Sequence, residues 1–479
     1  MLSPPAGPRS QAERSTSDRG APVADLPLSR LDDDEKVLVS RLAAKARKDD
    51  KRLTLLERYR DGEQRLKQIG MAVPPELRMF ETVVNVAGMA VREPVARQDL
   101  RGFQRSADDR IDVGLQEAWE SNNLDAQSVL VHADCRTFGR AFVSVSSNAE
   151  DSERPLITAE SPLGMAVMVN RARRRIDAAF RSWREDGVRG VTRGTLYRPH
   201  ATLHLVRGSS GWVVEDRDDH KAGFVPVVMF LNRQWQDRWA GRSEMSDVIG
   251  MTDAIARMVT NMQMAGETVA IPHRWAAGVE DKEFFDQNGK PLPAWEAYMT
   301  VLRATSNANA KFGAFPTADL DNFNKAVNNM LAWCGMVLGL PTRYMGQDTV
   351  NPAAEGAIIA DEIRLIKNVE LMNRFDGASW SWSMGMHEFF RTGEMPGRND
   401  IRALWFNPAT PTYSQRAEAV FKLTTGDRPI LSREGAWEEM GWSEARKAKE
   451  RANLAAEASA DPALRAAIAV LNGTGGAAA

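Results

Sequence analysis

His387-Glu388-Phe389-Phe390-Arg391 is the chain's nearest approach to a catalytic metal helix, in which two histidines four residues apart hold zinc and the intervening glutamate acts as general base. Arginine stands where the second ligand belongs, so the segment reads as a packing or surface helix. His200 and His204 would share a face in a strand or a helix, but no acid or thiol clusters with them, and they read as a surface pair. Gly208-Ser209-Ser210-Gly211 lacks the spacing of a nucleophile elbow. Neither a Gly-x4-Gly-Lys-Ser/Thr phosphate loop nor a Gly-x-Gly-x-x-Gly turn occurs, and Gly289-Lys290 is followed by Pro291, which lacks the backbone donor a phosphate would need. Cys135 and Cys334 are the only cysteines, too few for a disulfide framework or a thiolate zinc site, and read as buried thiols in a reducing compartment. The expectation is a protein with no cofactor, no metal and no ATPase centre.

The composition bounds what such a chain handles. At 479 residues it exceeds what one hydrophobic core usually organises, so several packed units are expected. Lys plus Arg number 62 against 64 for Asp plus Glu, leaving no basic excess to grip a phosphate backbone by counterion release. Tight wrapping of nucleic acid is therefore disfavoured, whereas a conduit past which a polyanion slides is better without deep electrostatic traps. No apolar run reaches the roughly 18 to 20 residues of a membrane span, and Met1 to Ala24 lacks the apolar stretch of a signal peptide, so neither insertion nor secretion is expected. Arg171-Ala172-Arg173-Arg174-Arg175 reads as a solvated hairpin turn.

The elements that position these residues form an α+β, predominantly helical chain. Residues 1–35, rich in Pro, Ser, Arg and Asp, are expected to be disordered. Leu38 to Gln68 is helical, leading into a turn at Asp61-Gly62, and short helices are expected at Ile111 to Trp119 and Ala126 to Phe138. The pattern then changes to strands: Ala141–Val145, Leu156–Ala159, Ala166–Val169, Ile176–Trp183, Val191–Tyr197, Ala201–Val206, Gly211–Val214 and Val225–Phe230. Ser243 and Glu244 open an amphipathic helix with Val248, Ile255, Met258, Val259, Met262 and Ala265 on one face, stopped by Pro272. Short helices recur between Ser414 and Ala456.

The organising stretch is a helix, a pinched loop and a longer helix. Leu320, Phe323, Val327, Met330, Leu331, Cys334, Val337 and Leu338 share one helical face; Thr317 and Asp319 supply capping chemistry, and Gly339 and Pro341 end the helix. From Ala353 to Phe390 no proline occurs, and Gly356, Gly377 and Gly385 are where that helix would kink or break. Trp380 and Trp382, two apart, cannot share a face.

Gly339-Leu340-Pro341-Thr342-Arg343-Tyr344-Met345-Gly346, with Asn351-Pro352-Ala353-Ala354-Glu355-Gly356-Ala357-Ile358 after it, resembles the loop and long helix of tailed-bacteriophage portal proteins, in the group infecting gram-positive hosts and actinobacteria. Tyr59-Arg60-Asp61-Gly62-Glu63, Gly139-Arg140-Ala141, Gly241-Arg242-Ser243-Glu244, Gly289-Lys290-Pro291-Leu292-Pro293-Ala294-Trp295-Glu296 and Asn407-Pro408-Ala409-Thr410-Pro411-Thr412 follow in family order. The resemblance implies a portal-type fold. Its parts would be an α/β wing (36–241), stem helices (242–270 and 317–340) around a clip (271–316), a channel loop (341–352), a long wing helix (353–392), a helical crown (393–458) and a flexible tail (459–479). It further implies a twelve-subunit ring at one capsid vertex through which double-stranded DNA is packaged and ejected. Its partners would be terminase, a head-completion or adaptor protein, and the major capsid and scaffold proteins. Candidate channel residues are Arg343, Tyr344, Met345, Gln347, Asp348, Thr349, Val350 and Asn351, and candidate clip contacts are Pro291, Pro293, Trp295 and Tyr298. An enzyme with an α+β active site between residues 140 and 240, or a scaffold that never closes into a ring, are the alternatives.

Overall fold

The computed structural model describes residues 30–66, 82–106, 110–185, 190–209, 211–236, 239–269, 274–277, 309, 311–314, 320–346, 355–397, 399–409, 413–426, 429–442 and 444–460. The chain divides into two compact units, one comprising the chain up to Arg65, Gly114–Ser246 and Ser379–Ile401, the other Leu66–Val113, Asp247–Ala378 and Arg402 onward.

In the first unit, α1 (Asp33–Asp61) begins earlier than the polar composition of residues 1–35 suggests. The cause is a capping box: Asp32 Oδ1 accepts from the Glu35 backbone N–H at 2.6 Å while Glu35 Oε2 accepts from the Asp32 N–H at 3.1 Å. Glu35 is buried and also accepts from Arg198 Nη1 at 2.8 Å and Arg217 Nη1 at 3.1 Å, so the helix start is tied to distant chain. Val39, Leu42 and Ala46 bury their face of α1 on a five-stranded antiparallel sheet of β4 (Met165–Asn170), β5 (Arg175–Arg184), β6 (Thr192–Tyr197), β7 (Thr202–Gly208) and β8 (Gly211–Asp218), against Phe180, Leu196 and Leu203. Fully burying each Leu or Phe here contributes roughly 1.5–3 kcal/mol. Residues 171–174 are the exposed turn of the β4–β5 hairpin, as their charge suggests, and His200 and His204 both face solvent.

A second sheet, ordered β3 (Leu156–Glu160), β2 (Arg140–Ser146), β9 (Val227–Leu231), packs against α4 (Leu124–Phe138), which follows α3 (Val113–Ser121). The Gly139-Arg140 and Gly241-Arg242 motifs meet here. Gly139 O accepts from the Asn232 N–H at 3.0 Å, Asn232 O accepts from the Arg242 N–H at 2.9 Å, and the Asn232 carboxamide donates to Arg242 O at 2.8 Å while accepting from Arg136. Ser243 donates to Arg136 O at 3.3 Å, and Glu244, nearly buried, pairs with Arg233 at 2.7 Å. Glu244–Asp247 therefore forms a 3-10 turn, and the α-helix expected from Ser243 starts only at Ile249.

In the second unit, α5 (Ile249–Val269) and α6 (Asp321–Leu338) run antiparallel: Met251 Sδ lies 3.8 Å from Cys334 Sγ near one end, and Gly266 faces Leu320 at the other. Between them, β10 (Arg274–Ala277) and β11 (Lys311–Ala314), absent from the sequence reading, pair antiparallel. The unit also holds α2 (Val86–Val95), whose Asn85 cap accepts from the Gly88 N–H at 2.7 Å, and the small sheet of β1 (Leu100–Arg105) with β12 (Ile401–Trp405). The C-terminal helices are α8 (Tyr413–Thr424), α9 (Arg433–Glu439) and α10 (Glu444–Ala460). The caps expected at Thr317 and Asp319 lie outside the described residues.

The long helix α7 (Glu355–Thr392) is continuous for 38 residues, about 57 Å at 1.5 Å per residue. Gly377 and Gly385 do not break it. Gly377 instead gives clearance: a Cβ there would lie 2.9 Å from Trp405 Nε1.

Residues 379–392 of α7 belong to the first unit and include His387, 3% exposed, with neither ring nitrogen hydrogen-bonded among the described residues. Burial draws its pKa down to about 4; nearby Glu388 acts to raise it and Arg391 to lower it. An unfolded histidine protonates near pH 6.5, so between pH 6.5 and about 4 the unfolded chain takes up a proton that the native one refuses, and stability falls as the pH falls. The loss approaches roughly 3 kcal/mol at the acid end of that window. Asp134, in the same unit, acts oppositely, because burial lifts its carboxyl to about 6. His387→Leu is therefore expected to raise the melting temperature more at pH 4.5 than at pH 7. A difference independent of pH would show that His387 is protonated or hydrated in the native chain.

Candidate functional site

The site is the turn between α6 and α7. Gly339 caps α6 at φ 70°, as its position after Leu338 suggests, and Pro341 then leads into a 3-10 turn, Thr342–Met345. The turn is seated on its own hairpin, because Met345 is buried with Leu340, Leu365 and Val369. Gly335 leaves room for it: a Cβ at that position would come within 3.2 Å of Met345 Cγ. Arg364 Nη1 donates to Met336 O at 3.1 Å, joining the two helices of the hairpin.

Beside this apolar seat stands a polar cluster centred on Glu362 of α7. Arg343 pairs with Glu362 Oε1, to which the Tyr344 hydroxyl also donates at 3.2 Å. Arg97, just beyond α2, approaches Glu362 Oε2 at 3.0 Å, donates to the Tyr344 hydroxyl oxygen at 2.9 Å, and donates through Nη1 to Pro408 O at 3.1 Å. Burial pulls the Arg97 guanidinium towards neutrality, but its bonds to Glu362 and Tyr344 outweigh this and hold its pKa above the ordinary arginine value. The Arg343 guanidinium also lies 5.5 Å from the Tyr344 ring centroid. Arg97 further lines a cavity of about 330 Å³ together with Asp99, Phe406, Asn407 and Arg416.

Of the eight expected channel residues, Arg343, Tyr344 and Met345 are brought together as the base of the loop, held on α7, while Gln347, Asp348, Thr349, Val350 and Asn351 lie outside the described residues. Pro291, Pro293, Trp295 and Tyr298 also lie outside them. The structure supplies Glu362 as the partner of Arg343, a contact that sequence reasoning did not identify. That reasoning passed over Arg97 and Glu362, because an acid on a helix and an arginine far upstream look like ordinary solvated residues. The one signal was Asn407-Pro408, noticed as a motif without its bond to Arg97. The cluster is an electrostatic clasp with one partly exposed guanidinium, that of Arg343, at its edge.

Residues 42–461 match the family model described as "Phage portal protein, SPP1 Gp6-like". The chain is 30% identical over 394 residues to the portal protein of Mycobacterium phage L5, covering 80% of this chain and 81% of that one. It is also 30% identical over 402 residues to the portal protein of Mycobacterium phage D29, covering 82% and 83%. Among solved structures it is similar to a chain in the neck of an empty GTA particle, at 12% identity and a TM-score of 0.48, over 82% of this chain and 93% of that one.

Proposed function

We infer from the family to which this chain belongs, the SPP1 Gp6-like phage portal proteins, that copies of it close into a ring at one capsid vertex, around a channel for double-stranded DNA. In this reading the chain is a structural conduit and docking platform, and the ATPase is a separate terminase. The ring has twelve copies, the number the family resemblance implies. Residues 271–316 form the clip, which holds terminase or an adaptor through Pro291, Pro293, Trp295 and Tyr298. Residues 341–352 form the loop that faces the DNA. Scaffold and major capsid proteins contact the outer surface.

The observation that carries the assembly is the apolar surface left on the hairpin within the second unit. On α6, Trp333 is 54% and Met336 60% exposed, and on α7 Ile363, Leu371 and Phe375 are about half exposed. Singly exposed apolar residues are ordinary, but rows of them on adjoining helices indicate a surface that another protein covers. A second copy supplies the same chemistry by symmetry.

Electron microscopy and light scattering of the purified full-length chain are expected to find closed rings. Trp333→Glu should abolish them while leaving the far-UV circular dichroism spectrum unchanged. A sole monomer peak for the wild type at micromolar concentration, across several buffers and salts, would overturn the reading.

A further inference from the structure

We propose that Arg343 is an exchangeable phosphate ligand, which leaves Glu362 for a backbone phosphate of double-stranded DNA while Arg97 stays behind as the resident counter-ion. This rests on the reading above, in which the loop faces DNA. The cluster holds two guanidiniums and one carboxylate, and the two are anchored unequally. Arg97 has a 12% exposed side chain and bonds to Pro408 O, the Tyr344 hydroxyl and Glu362 Oε2. Arg343 has a 33% exposed side chain and, among the described residues, Glu362 as its polar partner. Any exchange therefore falls to Arg343.

Removing one member of a buried ion pair is ordinarily strongly destabilising, because the other charge is left uncompensated. That penalty does not arise here. When Arg343 departs, Glu362 still accepts from the Tyr344 hydroxyl on Oε1 and faces Arg97 on Oε2, so it remains paired. The guanidinium exchanges a carboxylate for a phosphate, a like replacement for a planar fork that recognises both. The backbone need not follow, because buried Met345 keeps the turn seated while the side chain swings. The contact is sequence-independent and returns to an internal partner on release, which suits a polyanion that must keep moving.

The test measures a fluorescent DNA duplex binding to assembled rings as a function of salt, with melting temperatures in parallel. Arg343→Ala is expected to weaken binding about 3- to 10-fold at low salt and to flatten the salt dependence by about one phosphate contact per engaged subunit, with the melting temperature nearly unchanged. Glu362→Gln is expected to tighten binding several-fold, since it removes the internal competitor, while lowering the melting temperature as Arg97 loses its counter-ion. If Glu362→Gln does not fold, the Arg343→Ala arm decides alone. Wild-type rings that bind the duplex no better than Arg343→Ala rings, or Glu362→Gln rings that bind it more weakly, overturn the exchange and leave the portal reading standing. A wild-type chain that never forms rings overturns both.

Discussion

Gly241→Ala should leave little soluble, folded protein, with a loss of more than about 4 kcal/mol in the first unit. The added Cβ would lie 1.8 Å from Gly139 O, 2.8 Å from Gly139 C and 2.9 Å from Asn232 O, all backbone atoms that no rotamer change can move aside. The residue also holds φ 61°, where an L side chain is strained by roughly 1–2 kcal/mol before any contact is counted. Relief by separating the segments would break the Asn232-to-Gly139 and Arg242-to-Asn232 backbone bonds and disturb the Asn232 carboxamide that ties Arg136 to Arg242. Gly139 is crowded reciprocally, its own missing Cβ pointing to within 2.7 Å of Arg242 N. Gly223→Ala is the control: φ is 77° there, but nothing among the described residues stands within 4 Å, so only the backbone strain applies. Thermal melts and soluble yields of the two variants separate crowding from strain. Comparable behaviour would mean that the two glycine segments do not cross as closely as the structure has them.

That crossing marks the limit of what the sequence discloses. Gly139-Arg140-Ala141 and Gly241-Arg242-Ser243-Glu244 are both conspicuous strings, yet nothing in either indicates that the two backbones touch across a hundred intervening residues. Strands β2 to β9 were legible because alternation and turn residues are local signals, and Arg171–Arg175 announces its own hairpin. Strand β1 was not, since it pairs with β12, some three hundred residues later. The glycines of α7 were read as points of kinking or breaking on propensity alone, and the helix runs unbroken through them. An internal glycine costs about 1 kcal/mol relative to alanine, less than the packing of Val369, Trp380 and Met384 along the same helix supplies. At the site, Arg343, Tyr344 and Met345 were named as one group on position in the chain. Their division of labour was hidden because it depends on Glu362 and Arg97, residues of ordinary type whose meaning comes only from being brought together.

Trp380→Ala is expected to lower the stability of the first unit by about 3–5 kcal/mol, and its melting temperature by roughly 10 °C. Trp380 is fully buried, meeting Trp119 and Phe230 edge-on at centroid distances of 4.9 Å each, while its Nε1 donates to His132 Nε2 at 2.9 Å. Alanine deletes the largest fully buried side chain of residues 379–392, leaves a cavity between two rigid rings, and withdraws the donor that His132, itself buried, receives. Trp380→Phe separates these contributions: it keeps most of the edge-to-face packing and loses the donor, so a smaller drop of about 1–2 kcal/mol is expected. Trp382→Ala supplies the contrast that the two-residue spacing sets up. Trp382 is 36% exposed and approaches Phe224 only at 6.3 Å, so its removal should lower stability by no more than about 1 kcal/mol. Urea melts of the three variants should rank them Trp380→Ala, Trp380→Phe, Trp382→Ala in order of loss. If Trp382→Ala lowers stability as much as Trp380→Ala does, then the face of α7 turned to the core differs from the one seen here.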